Sequence, residues 1–312
     1  MDTKLGILLP TDRARWDDAR QLVDFAVRAE RLGFDSVWAN DTLLGPRIEP
    51  LAMLAALSSA TERVTLGTAA LLPAFRRPVL AAQTLASIDH LSAGRLIVAA
   101  GAGFPGRSEI EYAVSGVPWE RRFGRLDDTV ALWRALWSGE RAFQGKVLHF
   151  DDLPESTPSY RPGGPPIWLA GASPSALERA GRLYDGWLPY PPDPADYRAG
   201  LATVRAASRP EHAVTPALFV TVLISDDAGV ERQLDSYCRS TYGLPYETVR
   251  TIQAIVAGPA EHVAATLARY LEAGAEHLVC RIAAPSLDAQ LDQVERIAAT
   301  VRPVLSPSRL SR

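Results

Sequence analysis

The sequence predicts a single (β/α)8 TIM barrel, in which eight parallel strands alternate with eight helices. Short apolar runs of strand length alternate with longer amphipathic segments along the 312 residues. The strand runs are almost continuously apolar, which is typical of parallel strands that are covered on both faces. Eight strand–helix units favour a closed barrel over an open sheet. We therefore assign residues 1–312 to one α/β domain.

The first half of the chain contains four strand–helix units, in each of which a short apolar or β-branched run precedes a segment of helical period. Gly33 follows the first helix as its C-cap. No glycine-rich loop follows the first strand, as an open dinucleotide-binding sheet would require. The predicted strands are Leu5–Leu9, Asp35–Ala39, Val64–Ala69 and Arg95–Ala100, and the predicted helices are Asp17–Leu32, Pro50–Ala60, Pro78–Leu91 and Arg125–Trp137.

The second half repeats this pattern with two interruptions. Residues 139–165 lack a helical period and are predicted to form a hairpin-like excursion. Residues 226–258 are predicted to be a helical insertion, with helices at Val230–Tyr237 and Tyr246–Val256. The remaining predicted strands are Ile167–Ala170, Gly186–Pro189, Ala217–Ile224 and His277–Ile282, and the remaining helices are Pro174–Leu183, Ala195–Ala207, Ala260–Ala273 and Leu287–Val301.

Composition and charge exclude several classes of partner. The chain has 33 basic and 36 acidic residues and no basic block, so we expect neither nucleic acid nor an anionic membrane surface as a partner. No apolar run approaches the ~20 residues of a spanning helix, and no signal peptide is visible, which predicts a cytoplasmic protein. Cys238 and Cys280 form no motif and are predicted to be buried free thiols.

The carboxyl ends of the strands form the predicted active-site rim, because barrels of this class carry their catalytic loops there. The rim residues combine aromatic side chains, small apolar side chains and arginines. This mixture suits a flat aromatic ligand with an anionic tail. Taken singly, aromatic residues that lie near strand ends, such as Trp38 and Trp187, are more often core residues. Arg281 lies within an apolar strand, where a charge needs a partner or a ligand.

The segment from Gly171 to Pro174 passes directly from the fifth predicted strand into a helix. Ser173 is in position to cap that helix, and Pro174 occupies its first turn. The free backbone amides of such a helix start can bind a phosphate group. An ordinary helix cap explains the same residues.

Histidine is scarce along the rim, where only His149 could reach the site. Zinc and dimetal hydrolases need several histidine or carboxylate ligands at strand ends, so no metal site is predicted. A Ser–His–Asp hydrolase is not indicated, because no nucleophile-elbow motif is present. A barrel lyase or isomerase with a phosphate site remains an alternative outside redox chemistry.

Four segments of the chain resemble the bacterial luciferase-like monooxygenases and related oxidoreductases. They are Gly33–Trp38, Leu66–Pro73, Leu85–Gly103 and Pro166–Trp187. The resemblance implies that reduced flavin mononucleotide (FMN), or alternatively the deazaflavin coenzyme F420, lies across the barrel mouth. It also implies a phosphate site at Gly171, Ala172 and Ser173, and a non-proline cis peptide between Ala69 and Ala70.

The same resemblance assigns roles to individual rim residues. Arg281 falls where related flavin monooxygenases present an arginine to an anionic substrate group. Many relatives carry histidine after the second strand, whereas this chain reads Asn40, Asp41 and Thr42. Asp41 is therefore the candidate acid or base and Asn40 a candidate partner of the flavin, although Asp41 could equally pair with a rim arginine. The implied cofactor-binding residues are Trp38, Thr68, Ala69, Ala70, Gly101, Gly103, Gly171, Ala172, Ser173 and Trp187.

The leading hypothesis is a flavin-dependent monooxygenase that uses reduced FMN and O2 on a small organic substrate. The alternative is an F420-dependent hydride-transferring oxidoreductase, and an alternative of another class is a non-catalytic flavin-binding protein. The family also implies a homodimer through the second and third helices, and a separate flavin reductase is a further candidate partner. The helices within Val230–Val256 are expected to act as a lid or wall over the substrate.

Overall fold

The computed structural model describes residues 3–11, 19–210 and 213–305 and confirms the closed parallel barrel. Its strands are β1 (Lys4–Leu8), β2 (Ser36–Ala39), β3 (Thr65–Leu71), β4 (Leu96–Ala100), β5 (Phe143–Gln144), β6 (His149–Phe150), β7 (Ile167–Leu169), β8 (Gly186–Trp187), β9 (Thr215–Ile224), β10 (Ile255–Gly258) and β11 (His277–Ile282). All of these except β5, β6 and β10 form the barrel, in which neighbours in the chain pair in parallel. Pairing of β8 with β9 and of β11 with β1 closes the ring.

The helices are α1 (Gln21–Arg31), α2 (Pro50–Ala60), α3 (Pro78–Leu91), α4 (Glu109–Val114), α5 (Arg122–Trp137), α6 (Pro174–Leu183), α7 (Pro194–Ala207), α8 (Val230–Tyr242), α9 (Tyr246–Val249), α10 (Ala260–Glu272), α11 (Leu287–Arg296) and α12 (Arg302–Leu305). The bounds of α2, α3 and α6 are those predicted. Each of these helices has a proline in its first turn, where the missing N–H costs no hydrogen bond. A π-helical turn, Ile297–Val301, joins α11 to α12. The predicted start of the first helix includes residues 17–18, which lie outside the described residues.

The chain after α8 differs from the predicted helix Tyr246–Val256. The helix ends at Val249, and β10 pairs in parallel with the last residues of β9. Since β8 pairs with β9 only at Thr215 and Pro216, the later part of β9 has a free edge on that side. The β-branched pair within Ile255–Gly258 suits a strand, and β10 covers this edge beside the barrel mouth.

The excursion after α5 contains the predicted hairpin, in which β5 and β6 pair antiparallel. Asp128 of α5 anchors it by accepting hydrogen bonds from Val147 N at 2.5 Å and Leu148 N at 3.0 Å. The short helix α4 is not predicted, because its six residues are too few to show a helical period.

One hydrophobic core packs the strands against the helices, and another fills the barrel interior. The inner core consists of Leu8, Trp38, Ala69, Ala99, Trp168, Leu188, Ala217 and Val279. The rings of Trp38 and Trp168 lie 5.3 Å apart. A Cβ on Gly67 would overlap the first ring, and a Cβ on Gly186 would overlap the second. Because the two indoles fill the amino-terminal half of the barrel, a ligand site belongs at the carboxyl ends of the strands.

A buried histidine lies at the amino-terminal end of the barrel interior. Trp38 Nε1 donates to Ser36 Oγ at 2.7 Å, so the serine hydroxyl can donate in turn to His277 Nε2, 2.7 Å away. Burial, with a smaller contribution from Lys4, lowers the pKa of His277 to about 3. The imidazole is therefore neutral in the folded protein at neutral pH.

His277 is expected to make protein stability depend on pH. Its folded pKa lies below the reference value of 6.5, so the unfolded chain binds the additional proton between about pH 6.5 and pH 3. The contribution of His277 to the free energy of unfolding should be fully present above this window. It should decrease as the pH falls through the window, by up to about 1.4 kcal/mol per pH unit. Urea unfolding of wild type and His277→Gln at about pH 7.5 and about pH 5 measures this effect. Equal acid losses in the two proteins would contradict it.

Candidate functional site

The mouth of the barrel has a floor of small residues. Ala70 of β3, Gly101 after β4 and Ala170 after β7 occupy neighbouring strand ends. A Cβ on Gly101 would lie 3.6 Å from Ala70 Cβ and 3.8 Å from Ala170 Cβ, so the three residues adjoin. Since their side chains reach no farther than a methyl group, they leave a surface on which a planar ring can lie.

The peptide between Ala69 and Ala70 is cis, as the family resemblance implies. The register between β3 and β4 shifts at this point, between Thr68 and Leu71. Thr68 is buried, and its hydroxyl donates to Ala99 O at 2.8 Å. Thr68 and Ala69 therefore shape the strand end, and the partly exposed Ala70 forms its surface at the mouth.

The loop after β7 leads into the solvent-exposed N-terminus of α6, which lies beside this floor. Gly171 has a φ of +148°, a value that favours glycine. Ser173 caps α6, and its Oγ accepts a hydrogen bond from Ala176 N at 3.3 Å. Ala172 and Ser173 are exposed. Backbone amides at such a helix start are suited to binding an anionic group.

Trp187 supports the loop after β7 from behind. Its Nε1 donates to Gly171 O at 2.8 Å, and its indole stacks on Tyr197 of α7 with ring centroids 5.2 Å apart. The side chain is buried, so it offers no surface to a ligand. Trp187 was expected to contact the cofactor. In the structure it instead supports, through a hydrogen bond, the loop that would contact the cofactor.

Trp38 also lies away from the mouth. It is fully buried in the inner core, so the structure does not place it where it was expected to contact a cofactor. Asn40 remains partly exposed at the rim, where its Oδ1 accepts a hydrogen bond from Thr11 Oγ1 at 3.0 Å. Gly103, with a φ of +79°, is partly exposed in the loop after β4.

Asp41 is held in an ion pair. Arg76 Nη1 lies 2.5 Å from Asp41 Oδ2, and Leu72 N donates to the same oxygen at 2.9 Å. Arg76 also binds Glu49, which caps α2. Burial raises the pKa of Asp41, while the hydrogen bonds from Arg76 and Leu72 limit the rise because they favour the carboxylate. The structure favours pairing with a rim arginine over an acid–base role.

Glu111 of α4 is a residue of this region that the sequence analysis misses. Its side chain is buried, and its Oε1 accepts hydrogen bonds from Thr42 Oγ1 at 2.5 Å and Leu43 N at 2.6 Å. Glu111 thereby holds the segment after β2, where the family resemblance leads one to expect a histidine. The sequence carries no signal for this contact, because Thr42 and Glu111 are 69 positions apart.

Arg281 lies at the carboxyl end of β11, against α8. Its guanidinium carbon is 5.3 Å from the ring centroid of Tyr242 and 5.9 Å from that of Tyr237. Arg281 Nη1 donates to the Tyr242 hydroxyl at 3.3 Å. Thr221, its neighbour on β9, has a buried hydroxyl without a hydrogen-bond partner among the described residues. The partly exposed arginine is therefore oriented by the rings of α8.

Tyr190 and Phe104 join the loops after β8 and β4. Their ring centroids lie 5.7 Å apart. Burial raises the pKa of Tyr190 to about 12, so its hydroxyl keeps its proton at neutral pH and can donate a hydrogen bond. The two rings add an aromatic wall to the rim, as the composition of the rim predicts.

The remaining features of the described residues are the cysteines, possible metal ligands, possible membrane-spanning helices and cavities. Both cysteines are buried and unpaired, as predicted. Within the described ranges, no group of three or more His, Cys, Asp or Glu side chains could hold a metal ion. In that same part of the chain, no helix has the length and apolar character needed to cross a bilayer. A cavity of about 540 Å³ lies beside Pro162–Pro166, and one of about 240 Å³ lies beside Pro73–Pro78, which follows β3.

Residues 3–277 match the family model for luciferase-like monooxygenases, which is most of the chain. The chain belongs to the luciferase-like monooxygenase family. The match confirms the resemblance, and the closed parallel barrel confirms the fold class predicted with it.

Comparisons with individual proteins place this luciferase-like chain among F420-dependent relatives. An F420-dependent glucose-6-phosphate dehydrogenase from Intrasporangium calvum is 40% identical over 181 residues, covering 54% of this chain and 53% of the relative. The chain thus spans about half the length of that relative. An F420-dependent hydroxymycolic acid dehydrogenase from Mycobacterium tuberculosis is 30% identical over 299 residues, covering 87% and 81%.

A solved structure of an F420-dependent secondary alcohol dehydrogenase, in complex with an F420–acetone adduct, has the same fold. Its TM-score against this chain is 0.79 at 21% sequence identity, with 98% of this chain and 99% of that chain covered. At this level of identity the comparison supports the luciferase-like barrel and not a particular activity.

Proposed function

We propose that this luciferase-like protein is an F420-dependent oxidoreductase that exchanges hydride with a small organic substrate. The names of its curated relatives favour F420 over reduced FMN, which the sequence analysis prefers. That preference is therefore reversed. F420-dependent hydride transfer becomes the first hypothesis, and monooxygenation with FMN becomes the second.

The observation that carries the proposal is the adjacency of the small-residue floor and the open start of α6. Ala170 belongs to the floor and is followed directly by Gly171, where the loop after β7 begins. The floor suits a planar ring, and the amides around Ser173 suit a phosphate group. The residues present thus fit both parts of a phosphorylated deazaflavin.

The bound cofactor would supply the hydride chemistry, and the protein would bind, orient and shield the reactants. Arg281, held against Tyr242, would bind a polar or anionic group of the substrate. Tyr190 would donate a hydrogen bond from the loop after β8, two strands from β11 in the barrel, since its hydroxyl keeps its proton. The helices of the insertion would limit the access of water to Arg281.

The remaining partners stay predictions of the family resemblance. A homodimer through α2 and α3 is expected. A separate flavin reductase belongs to the FMN hypothesis, because it would supply the reduced flavin which that reaction consumes. A small organic molecule is the expected substrate under both hypotheses.

Fluorescence titration of the purified chain with F420 and with FMN tests the proposal. We expect F420 to bind at least about tenfold more tightly than FMN, a difference of about 1.4 kcal/mol. We also expect Gly171→Val to weaken F420 binding, because valine does not tolerate the backbone conformation at this position. Preferred binding of reduced FMN would support the monooxygenase hypothesis instead, and binding of neither cofactor would exclude both.

A further inference from the structure

Arg122, the first residue of α5, is clamped by two aromatic rings. Its guanidinium carbon lies 3.9 Å from the ring centroid of Trp119 and 4.3 Å from that of Phe123. Guanidinium groups stack on aromatic faces in this way while their N–H edges remain available to a ligand. The clamp therefore orients a cation.

Within the described part of the chain, no acidic side chain pairs directly with this cation, although backbone hydrogen bonds, chiefly from Gly106, and then the charge of Arg122 lower the pKa of Glu109. Arg122 forms neither a hydrogen bond nor an ion pair there, and its Nε is buried without a hydrogen-bond partner. Arg179, which contacts the same Phe123 ring, does pair with a carboxylate, since its Nε lies 2.8 Å from Asp127 Oδ2. Because leaving a buried donor unpaired costs free energy, a ligand that pairs with Arg122 would gain from it.

The two rings that clamp Arg122 contact elements that border the proposed cofactor site. Trp119 packs beside the loop after β4, where a Cβ on Gly103 would be 3.4 Å from Trp119 Cζ3. Phe123 packs on the other side against α6, with the guanidinium carbon of Arg179 5.2 Å from its ring centroid. α6 is the helix that Ser173 caps. Through its two clamping rings, Arg122 is thus linked both to the loop after β4 and to α6.

We propose that Arg122 binds a carboxylate in the tail of the cofactor, beyond the phosphate that the start of α6 would hold. This inference rests on the proposed function. The two Nη groups of Arg122, which form no hydrogen bond among the described residues, can match a carboxylate in two parallel hydrogen bonds. The tail of F420 continues past its phosphodiester into a chain of carboxylates, whereas FMN ends at its phosphate. Arg122 therefore provides a reason for this chain to prefer F420.

Three related ligands distinguish the contributions that the ring, the phosphate and the tail make to the binding free energy. They are F420 with its oligoglutamate tail, the deazaflavin riboside that lacks both phosphate and tail, and the 5′-phosphate of that riboside. Binding of each to wild type, Arg122→Gln and Arg122→Lys is measured by fluorescence titration. Arg125→Gln is the matched control, because Arg125 lies one turn farther along α5 and likewise forms no hydrogen bond or ion pair among the described residues.

We expect Arg122→Gln to weaken binding of F420 about tenfold, the loss of roughly one charged hydrogen bond. Arg122→Lys should lose less, because it keeps the charge. Binding of the riboside and its phosphate should stay within about twofold, which also shows that the variant is folded.

An equal loss with Arg125→Gln would show general attraction between charges, and an equal loss for the riboside would show damage to the barrel. Either result, or unchanged binding of F420, overturns the inference while the proposed function stands. If wild type binds none of the three ligands, the proposed function fails and this inference fails with it.

Discussion

Replacing Asp41 with alanine is expected to lower the free energy of unfolding by about 3 kcal/mol, because it leaves a largely buried arginine with only the half-exposed Glu49 as a carboxylate partner. The Asp41 side chain is 4% exposed and that of Arg76 is 18% exposed, so water can replace little of the lost contact. The amide of Leu72 loses its acceptor in the same variant. Urea denaturation of the variant beside the wild type measures the difference.

Glu49→Gln is the matched control, because Glu49 binds the same guanidinium. Its side chain is 48% exposed, so solvent screens the contact and the expected loss is below about 1 kcal/mol. Asp41→Asn keeps the shape of the side chain and an acceptor for Leu72, and it should recover part of the lost stability. Wild-type stability in Asp41→Ala would show that the ion pair does not hold the segment after β2. That result would support the alternative hypothesis that Asp41 acts as an acid or base.

A second large effect is expected from Gly67→Ala in the barrel interior. The added methyl group would overlap the Trp38 indole, which is fully buried and packed against Trp168. Since the indole has no free space into which it could move, the overpacking should cost about 3 kcal/mol of stability. Thermal and urea unfolding of the purified variant measure this cost.

Gly101→Ala tests whether the mouth differs from the packed interior. Its Cβ would lie 3.6 Å or more from every neighbouring heavy atom, an ordinary van der Waals distance. We therefore expect a change in stability within about 1 kcal/mol, in contrast to Gly67→Ala. Similar large losses in both variants would mean that the mouth is as tightly packed as the interior, and the proposed ring site would have to be abandoned.

Local signals in the sequence predict the order of the strand–helix units and many of their bounds. The prolines that start α2, α3 and α6 act within a single turn, and so does the Ser173 cap. The resemblance to a known family adds the cis peptide between Ala69 and Ala70, which no local pattern of apolar residues would indicate. The prediction of β10 as helix is wrong, because a strand there depends on an edge of β9 that only the closed barrel leaves free.

The structure places some of the predicted site residues at the barrel mouth and others in the buried core. Ala70, Gly101 and Ser173 lie at the mouth, whereas Trp38 and Trp187 are buried on either side of the barrel wall. A sequence shows that an aromatic residue is near a strand end, but the direction of its side chain depends on the pleat and on barrel curvature. The sequence also contains no sign that Arg122 would be clamped between two rings.

The sequence by itself determined the barrel and membership of a family of redox enzymes, and it predicted a site at the carboxyl ends of the strands. These follow from periodicity, caps and motifs, which act over a few residues at a time. Only the tertiary structure decided that Asp41 pairs with Arg76, that Glu111 holds Thr42, and that Trp187 supports Gly171. Those contacts join residues far apart in the chain, and they exist because closure of the barrel brings neighbouring loops together.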